Sequence, residues 1–240
     1  MKSLYIVMPA YNEEANIEQT IKEWYPVIEN IYITGGGNSK LVIVNDGSKD
    51  STYEKAVALE KDYPLLKVLT KPNQGHGPTV IYAYQYAIDN GADYVFMTDS
   101  DGQTNPKEFD EFLKLSNDYD AILGVRRVRG DGKARKFVEQ VVCFLLLLYF
   151  HVKVQDANAP FRLIKASVLE KYLKRLPKDY NLPNIMLTAY MAFYKENIIF
   201  KEISFKPRTA GVNSINFKRI FKIGLKALSD FRTFKKDMKK

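Results

Sequence analysis

The 240-residue chain holds a single cysteine, Cys143, so an internal disulfide framework and a cysteine-rich metal site are both excluded, which fits a reducing compartment. Its neighbours Val141, Val142 and Phe144 make that thiol an inert apolar side chain. Long apolar runs are lacking too. The longest, Val141 to Phe150, is far short of the roughly 20 residues that cross a bilayer. Leu4 to Ala10 is apolar, but Glu13 and Glu14 follow at once and no small-residue cleavage site is present, so no signal peptide is expected. There is no repeat of solenoid period, no low-complexity linker and no nucleic-acid-binding module. These absences leave a soluble or peripheral globular protein as the expectation, 46% hydrophobic and 27% charged, with enough chain for a full core.

Positive charge is in excess, at +8, and unevenly placed: from Asn216 to Lys240 nine basic residues stand against Asp230 and Asp237. Among those cations Phe217, Ile220, Phe221, Leu225, Leu228 and Phe231 recur at helical spacing. Such a helix can lie in the interface of an anionic membrane or pack on its own domain. Spacing alone does not choose. A second basic stretch, Gly124 to Lys133 with Arg135 just after, reads as a solvated loop or as a phosphate-facing cluster.

The order of elements is more decisive. Leu4 to Met8, Leu41 to Val44, Leu66 to Leu69 and Tyr94 to Met97 read as buried strands, and each is followed by a loop and a helix pattern. Asn12 is placed to cap the first helix, whose apolar face is Ile17, Ile21, Tyr25 and Ile28. Ser51 and Glu54 have capping-box spacing for the second. The third helix is expected from about Thr79 to Asn90, and Asn105, Pro106 and Glu108 read as a fourth helix start. Successive strand-loop-helix units predict an α/β protein with a mostly parallel central sheet and helices on both faces. Beyond Ile122 the pattern shifts to helices over Phe137 to Phe150, Ala166 to Arg175 and Pro183 to Tyr194, then a strand from Ile198 to Phe205. The Phe137 segment is a second lipid contact or simply core.

Chemistry concentrates in Asp99-Ser100-Asp101-Gly102-Gln103, at the end of the fourth strand, where open α/β sheets bind ligands. On extended backbone Asp99, Asp101 and Gln103 share a face. Three converging oxygens suit a hard cation, Mg²⁺ or Mn²⁺. Alone, the same residues equally make a solvated turn.

Four segments taken together carry a resemblance: Pro9-Ala10-Tyr11-Asn12-Glu13-Glu14, Val44-Asn45-Asp46-Gly47-Ser48, Asn73-Gln74-Gly75-His76-Gly77 and Asp99-Ser100-Asp101-Gly102-Gln103. Gly124-Val125-Arg126, Asp156 to Arg162 and Arg208 to Ser214 continue it. The chain resembles the inverting GT-A glycosyltransferases of family 2, and within them the polyprenyl-phosphate sugar transferases similar to dolichyl-phosphate mannose synthase. That resemblance implies a Rossmann-like GT-A domain over 1–215, with a nucleotide-sugar half at 1–123 and an acceptor half at 124–215, followed by a basic amphipathic tail over 216–240.

The resemblance also implies roles. Pro9, Ala10, Tyr11, Glu13, Asn45 and Asp46 would form the base-and-ribose pocket of a UDP- or GDP-linked sugar. Asp99, Asp101 and Gln103 would hold the metal, with Ser100, Gly75 and His76 beside them, and Arg126, Arg135 and Arg208 would meet phosphates, because a guanidinium fork matches two oxygens at once. Asp156 is a base for a hydroxyl acceptor or the cap of the Asn158 turn, and His76 a diphosphate contact or a structural residue. Two departures stand out. Asn45 replaces the first of two aspartates, and Gly211-Val212-Asn213-Ser214-Ile215 replaces Gly-x-Ser-Lys, removing a lysine.

The expected function is metal-dependent transfer of a sugar from a nucleoside diphosphate to polyprenyl phosphate at the cytoplasmic face of the membrane. Transfer to a sugar hydroxyl, and a nucleotide-binding subunit without turnover, remain rivals. Nucleic acid is not an expected partner; self-association, the nucleobase and the sugar are left open.

Overall fold

The computed structural model describes residues 2–127, 133–207 and 217–238, and for 133–135, 217–225 and 228 the backbone course only. One sheet runs through the molecule in the order β3-β2-β1-β4-β6-β5-β7. Its strands are β1 (Leu4–Ala10), β2 (Lys40–Asn45), β3 (Leu66–Thr70), β4 (Tyr94–Thr98), β5 (Ala121–Val125), β6 (Phe161–Lys165) and β7 (Ile198–Glu202). β1 pairs in parallel with β2 and β4, β2 with β3, and β5 with β7, whereas β6 runs antiparallel to both β4 and β5. The mostly parallel sheet expected from the strand-loop-helix order is therefore present. β5 and β6 were not foreseen: Ala121 to Val125 is broken by Gly124, and Phe161 to Lys165 carries a charge, Arg162, in its middle.

Two-residue periodicity sorts the side chains into two cores. Leu4, Ile6 and Met8 of β1, Leu41 and Ile43 of β2, and Tyr94 and Phe96 of β4 face one side, with α1 (Ile17–Ile33), α2 (Thr52–Leu59) and α4 (Phe109–Lys114). Tyr5, Val7, Val42, Val44, Val95 and Met97 face the other, under α3 (His76–Asp89), α5 (Lys133–Phe150), α6 (Ala166–Leu173), α7 (Pro183–Phe193) and α8 (Phe217–Met238). The first core centres on Trp24, 1% exposed, whose ring meets Phe96 at 5.3 Å and Phe161 at 5.9 Å.

Several expected caps are corrected. α1 starts at Ile17, not behind Asn12, which sits at φ 55 with its side chain accepting from the Lys49 amide. Ser51 does precede α2, but its side chain makes no cap bond; Asp50 Oδ1 accepts from the Thr52 amide at 3.1 Å instead. α3 begins at His76, three residues early. Asn105 caps a 3₁₀ turn, Pro106–Glu108, through the Lys107 amide, while Glu108 reaches across to the Ser204 amide rather than back to its own helix.

The tail is a helix, as its periodicity predicts, but the described part of its apolar face is turned inward. Phe231 packs 5.4 Å from Phe150, Phe234 packs 5.1 Å from Tyr180, and Met238 is buried. Phe231 is therefore core and not a lipid contact. The side chains of Phe217, Ile220, Phe221, Leu225 and Leu228 lie outside the described residues.

The entry to α3 is fixed by a close approach. A Cβ on Gly77 would lie 2.4 Å from the Tyr180 carbonyl oxygen and 2.5 Å from the Asn181 carbonyl. Backbone cannot yield as a side-chain end can. Gly77→Ala is expected to lower stability by about 2 kcal/mol or more in urea unfolding, while Gly37→Ala, with nothing within 4 Å, stays within about 0.5 kcal/mol. Equal midpoints would contradict the close approach.

Candidate functional site

Parallel pairing sends the carboxyl ends of β1, β2, β3 and β4 to one edge of the sheet, and β5 and β7 run the same way. Because β6 is reversed, the loop before it, carrying Asp156, reaches that edge as well. The order changes direction beside β1, which lies between β2 and β4; such a switch point opens a crevice for ligands.

The loops there are tied together by short bonds. The Ser100 hydroxyl donates to the Pro9 carbonyl at 2.8 Å, the Thr20 hydroxyl donates to the Ser100 carbonyl, and the Asp46 amide donates to the Ala10 carbonyl. Pro9, Ala10 and Ser100 thus act as scaffold where β1 meets β4. Asp46, 3% exposed, accepts from Lys71 Nζ at 2.5 Å and from the Gln74 and Gly75 amides at 3.0 and 2.8 Å. Asn45 accepts from the Ser48 amide and donates to the Thr70 hydroxyl. Glu13 is buried against Asn16. Asn45, Asp46 and Glu13 therefore hold the loops after β1 and β2 in place, and Tyr11 stands half-buried beside them in sequence.

The acidic loop after β4 is bent, not extended. Gly102 takes φ 73, and Asp101 Oδ1 accepts from the Gln103 amide at 3.1 Å. Gln103 is buried and strapped to the segment after β7: its Nε2 donates to the Lys206 carbonyl at 2.7 Å, and its own carbonyl accepts from the Lys206 amide at 2.9 Å. Two carboxylates and a carboxamide within five residues make an all-oxygen set, the chemistry of Mg²⁺ or Mn²⁺. Among the described residues no three His, Cys, Asp or Glu side chains gather as a metal site. An ion held here would need Gln103 and ligand oxygens to complete its shell.

His76 opens α3 behind Gly75, which takes φ 94. The imidazole keeps solvent access, yet crowding by surrounding protein disfavours its charged form and lowers its pKa, against the pull of Asp46 and Asp101. It belongs to the same cleft as both carboxylates.

After β5, Arg126 closes on Asp156 as a two-pronged pair, Nε to Oδ2 at 2.8 Å and Nη2 to Oδ1 at 2.9 Å, over the Phe205 ring. Its fork is engaged by protein, so an open phosphate fork at Arg126 is not what the structure shows. Asp156 also accepts from the Asn158 amide at 3.1 Å, which realises the turn-cap reading. Burial pushes the Asp156 carboxyl up, but the Arg126 pair and the Asn158 bond outweigh that and hold it below the usual carboxylate range. Arg127 pairs with Glu202 in solvent. Arg129 and Arg208 lie outside the described residues, as does Gly211 to Ile215, and so does the Arg135 side chain.

Three participants were missed. Lys71, just before Pro72, neutralises Asp46. Glu139 accepts from the Ala157 amide at 2.7 Å and stands 3.6 Å from Arg126; a lone acid in an otherwise apolar and basic helix was its signal. Arg162, fully buried, donates to the carbonyls of Ala157, Ala159 and Asn184 and so staples the Asp156 loop to α7. Cys143 is inert as expected, its thiol pushed up to about 12 by burial and by Glu139.

Loops gathered at the switch point of a mostly parallel, helix-covered sheet place the chain in the Rossmann-like GT-A fold class. Residues 5–173 match the model of glycosyl transferase family 2, and the chain belongs to that family. It is 24% identical over 235 residues to an uncharacterized glycosyltransferase of Synechocystis sp., covering 95% of this chain and 69% of that protein. It is 24% identical over 172 residues to an undecaprenyl-phosphate 4-deoxy-4-formamido-L-arabinose transferase of Shewanella sediminis, covering 70% of this chain and 50% of that protein. A protein of the same name from Pectobacterium atrosepticum is 22% identical, with 85% and 62% covered. The chain thus spans between half and about two thirds of the length of these relatives. Among solved structures, glucosyl-3-phosphoglycerate synthase of Mycobacterium tuberculosis, crystallised with Mn²⁺, UDP-glucose and glycerol 3-phosphate, superposes with a TM-score of 0.69 at 18% identity, covering 98% of this chain and 80% of that one. At that identity the likeness shows the fold alone.

Burial and the Asp156 charge raise the pKa of Glu139, against the pull of Arg126. A carboxyl whose folded pKa is raised gives stability that is complete below the unfolded value and is lost as pH rises through the folded one. Wild type should therefore lose stability relative to Glu139→Gln as pH climbs above the ordinary glutamate range, read by thermal unfolding at stepped pH. A constant difference would contradict the raised pKa of Glu139.

Proposed function

We propose that the chain is a metal-dependent, inverting transferase that moves a sugar from a nucleoside diphosphate, UDP or GDP, to polyprenyl phosphate at the cytoplasmic surface of a membrane. The donor would lie in the crevice between the loops after β1, β2 and β4, with its diphosphate beside Asp99, Asp101 and Gln103. These residues would hold Mg²⁺ or Mn²⁺, whose charge lets an anionic leaving group sit beside carboxylates. His76, at the head of α3, faces the same diphosphate.

The observation that carries the choice of acceptor is the state of Asp156. A sugar hydroxyl needs a general base, and Asp156 stands where one would act, but its two oxygens are engaged by Arg126 and its pKa is depressed. Such a carboxylate is a poor proton acceptor at neutral pH. A phosphate oxygen is already an anion and asks for no base. The names of the Shewanella and Pectobacterium relatives support the same reading.

The discriminating assay supplies labelled UDP- and GDP-sugars with Mn²⁺ and offers either polyprenyl phosphate or glycan hydroxyl acceptors. Product on the lipid phosphate alone is expected. Asp101→Ala should reduce turnover by about 100-fold or more. Asp156→Asn should cost less than the roughly 100-fold or greater loss that removal of a general base brings. Product only with hydroxyl acceptors would overturn the proposal.

A further inference from the structure

We propose that Arg162 is a positioning residue for sugar transfer, acting on Asp156 and Arg126 through the peptide plane between Ala157 and Asn158. The inference rests on the reading of Asp156 and its place in the reaction given above. That plane has both polar ends engaged: the Asn158 N–H donates to Asp156 Oδ1 at 3.1 Å, and the Ala157 carbonyl accepts from Arg162 Nη2 at 3.2 Å. The same Asp156 oxygen accepts from Arg126 Nη2 at 2.9 Å. A peptide unit is rigid, so it cannot turn to release one end without moving the other. Arg162 thereby sets, from the buried side, the orientation of the Asp156 carboxylate and of the Arg126 guanidinium that closes on it.

Stability alone gives a weak reason for an arginine here. Arg162 is fully buried, and every hydrogen-bond partner it has among the described residues is a carbonyl or a hydroxyl, from Ala157, Ala159, Asn184 and Thr188. Burying a charge is costly, and apolar residues of similar volume often replace buried charges with no loss of stability. What an apolar side chain lacks is the fork. Nε and Nη2 reach two carbonyls of the Asp156 loop, while Nη1 is anchored on the Asn184 carbonyl of α7 at 3.1 Å. The anchor is itself held, since the Tyr84 hydroxyl of α3 donates to the Asn184 side chain at 2.9 Å. Thr188, one turn further along α7, adds a second bond to the Ala157 carbonyl at 3.2 Å. Arg162 also pairs in register with Met97 of β4, beside the strand end that leads to Asp99. The fork therefore references the loop before β6 to the same strand that carries the acidic loop.

The test is a kinetic double-mutant cycle on the full chain, with circular dichroism and unfolding midpoints recorded for each variant. Arg162→Lys keeps a charge but cannot span three carbonyls, and should lower kcat by about tenfold or more through misplacement of the reacting groups. The KM for the nucleotide sugar should stay at the wild-type value, because the loop after β4 makes no bond to this plane. With Asp156→Ala already in place the plane has lost its target, so Arg162→Lys should cost less than about threefold more. Thr188→Val removes only one hydroxyl from the clamp; it should lower kcat by a smaller factor at unchanged KM, and it carries the test if Arg162→Lys does not fold. Equal losses from Arg162→Lys in both backgrounds, a rise in the nucleotide-sugar KM with kcat unchanged, or wild-type kinetics in folded Arg162→Lys or Thr188→Val would each overturn the proposal. Transfer to a sugar hydroxyl instead of polyprenyl phosphate removes only the acceptor reading, and the same cycle run with that acceptor still decides the role of Arg162.

Discussion

The site depends on a constraint of sheet geometry. Parallel strands need crossovers, so every strand that runs in the common direction delivers its following loop to the same edge. Six of the seven described strands do so, and the seventh, β6, is reversed and contributes the loop before it. Asp46, Lys71, Asp99, Asp101, Arg126, Asp156 and Lys206, scattered over the whole chain, come to one rim for that reason alone. The reversal of β6 puts Asp156 opposite Arg126.

Gathering acids at one rim creates an electrostatic load that the protein meets locally. Asp46 is answered by Lys71 and two amides, and Asp156 by Arg126, which also stands 3.6 Å from Glu139. Each partner comes from a different loop, so the compensation also fixes the loops against each other. Removing one member of such a buried pair leaves the other uncompensated, which costs more than the pair contributes.

The first half of this plan was legible because its signals were local. Apolar runs ending in Pro9-Ala10-Tyr11, Asn45-Asp46-Gly47 and Asp99-Ser100-Asp101 mark strand ends without reference to the rest of the chain. The second half was not. β6 hides because Arg162 interrupts its apolar run, and the hydrogen bonds that make a buried arginine tolerable there come from the carbonyls of Ala157 and Ala159 in the loop before it and of Asn184 further along the chain. The helix caps failed for a related reason: Asn12 and Glu108 carry the right groups, but tertiary partners at Lys49 and Ser204 claim them, and Asp50 beside Ser51 takes the Thr52 amide. The resemblance offers Arg126 as a phosphate contact, and nothing in sequence shows that Asp156 faces it. The tail's periodicity fitted lipid and protein alike, and only the contact of Phe231 with Phe150 separates them.

The central claim is that a divalent ion stands between the loop after β4 and the diphosphate of a nucleotide. Calorimetric titration of UDP and GDP into the metal-free protein, with and without Mn²⁺, tests it most directly. Binding that strengthens by about tenfold or more with Mn²⁺, and loses that gain in Asp99→Asn, is the predicted result. Equal affinity in chelator and in Mn²⁺ would contradict it.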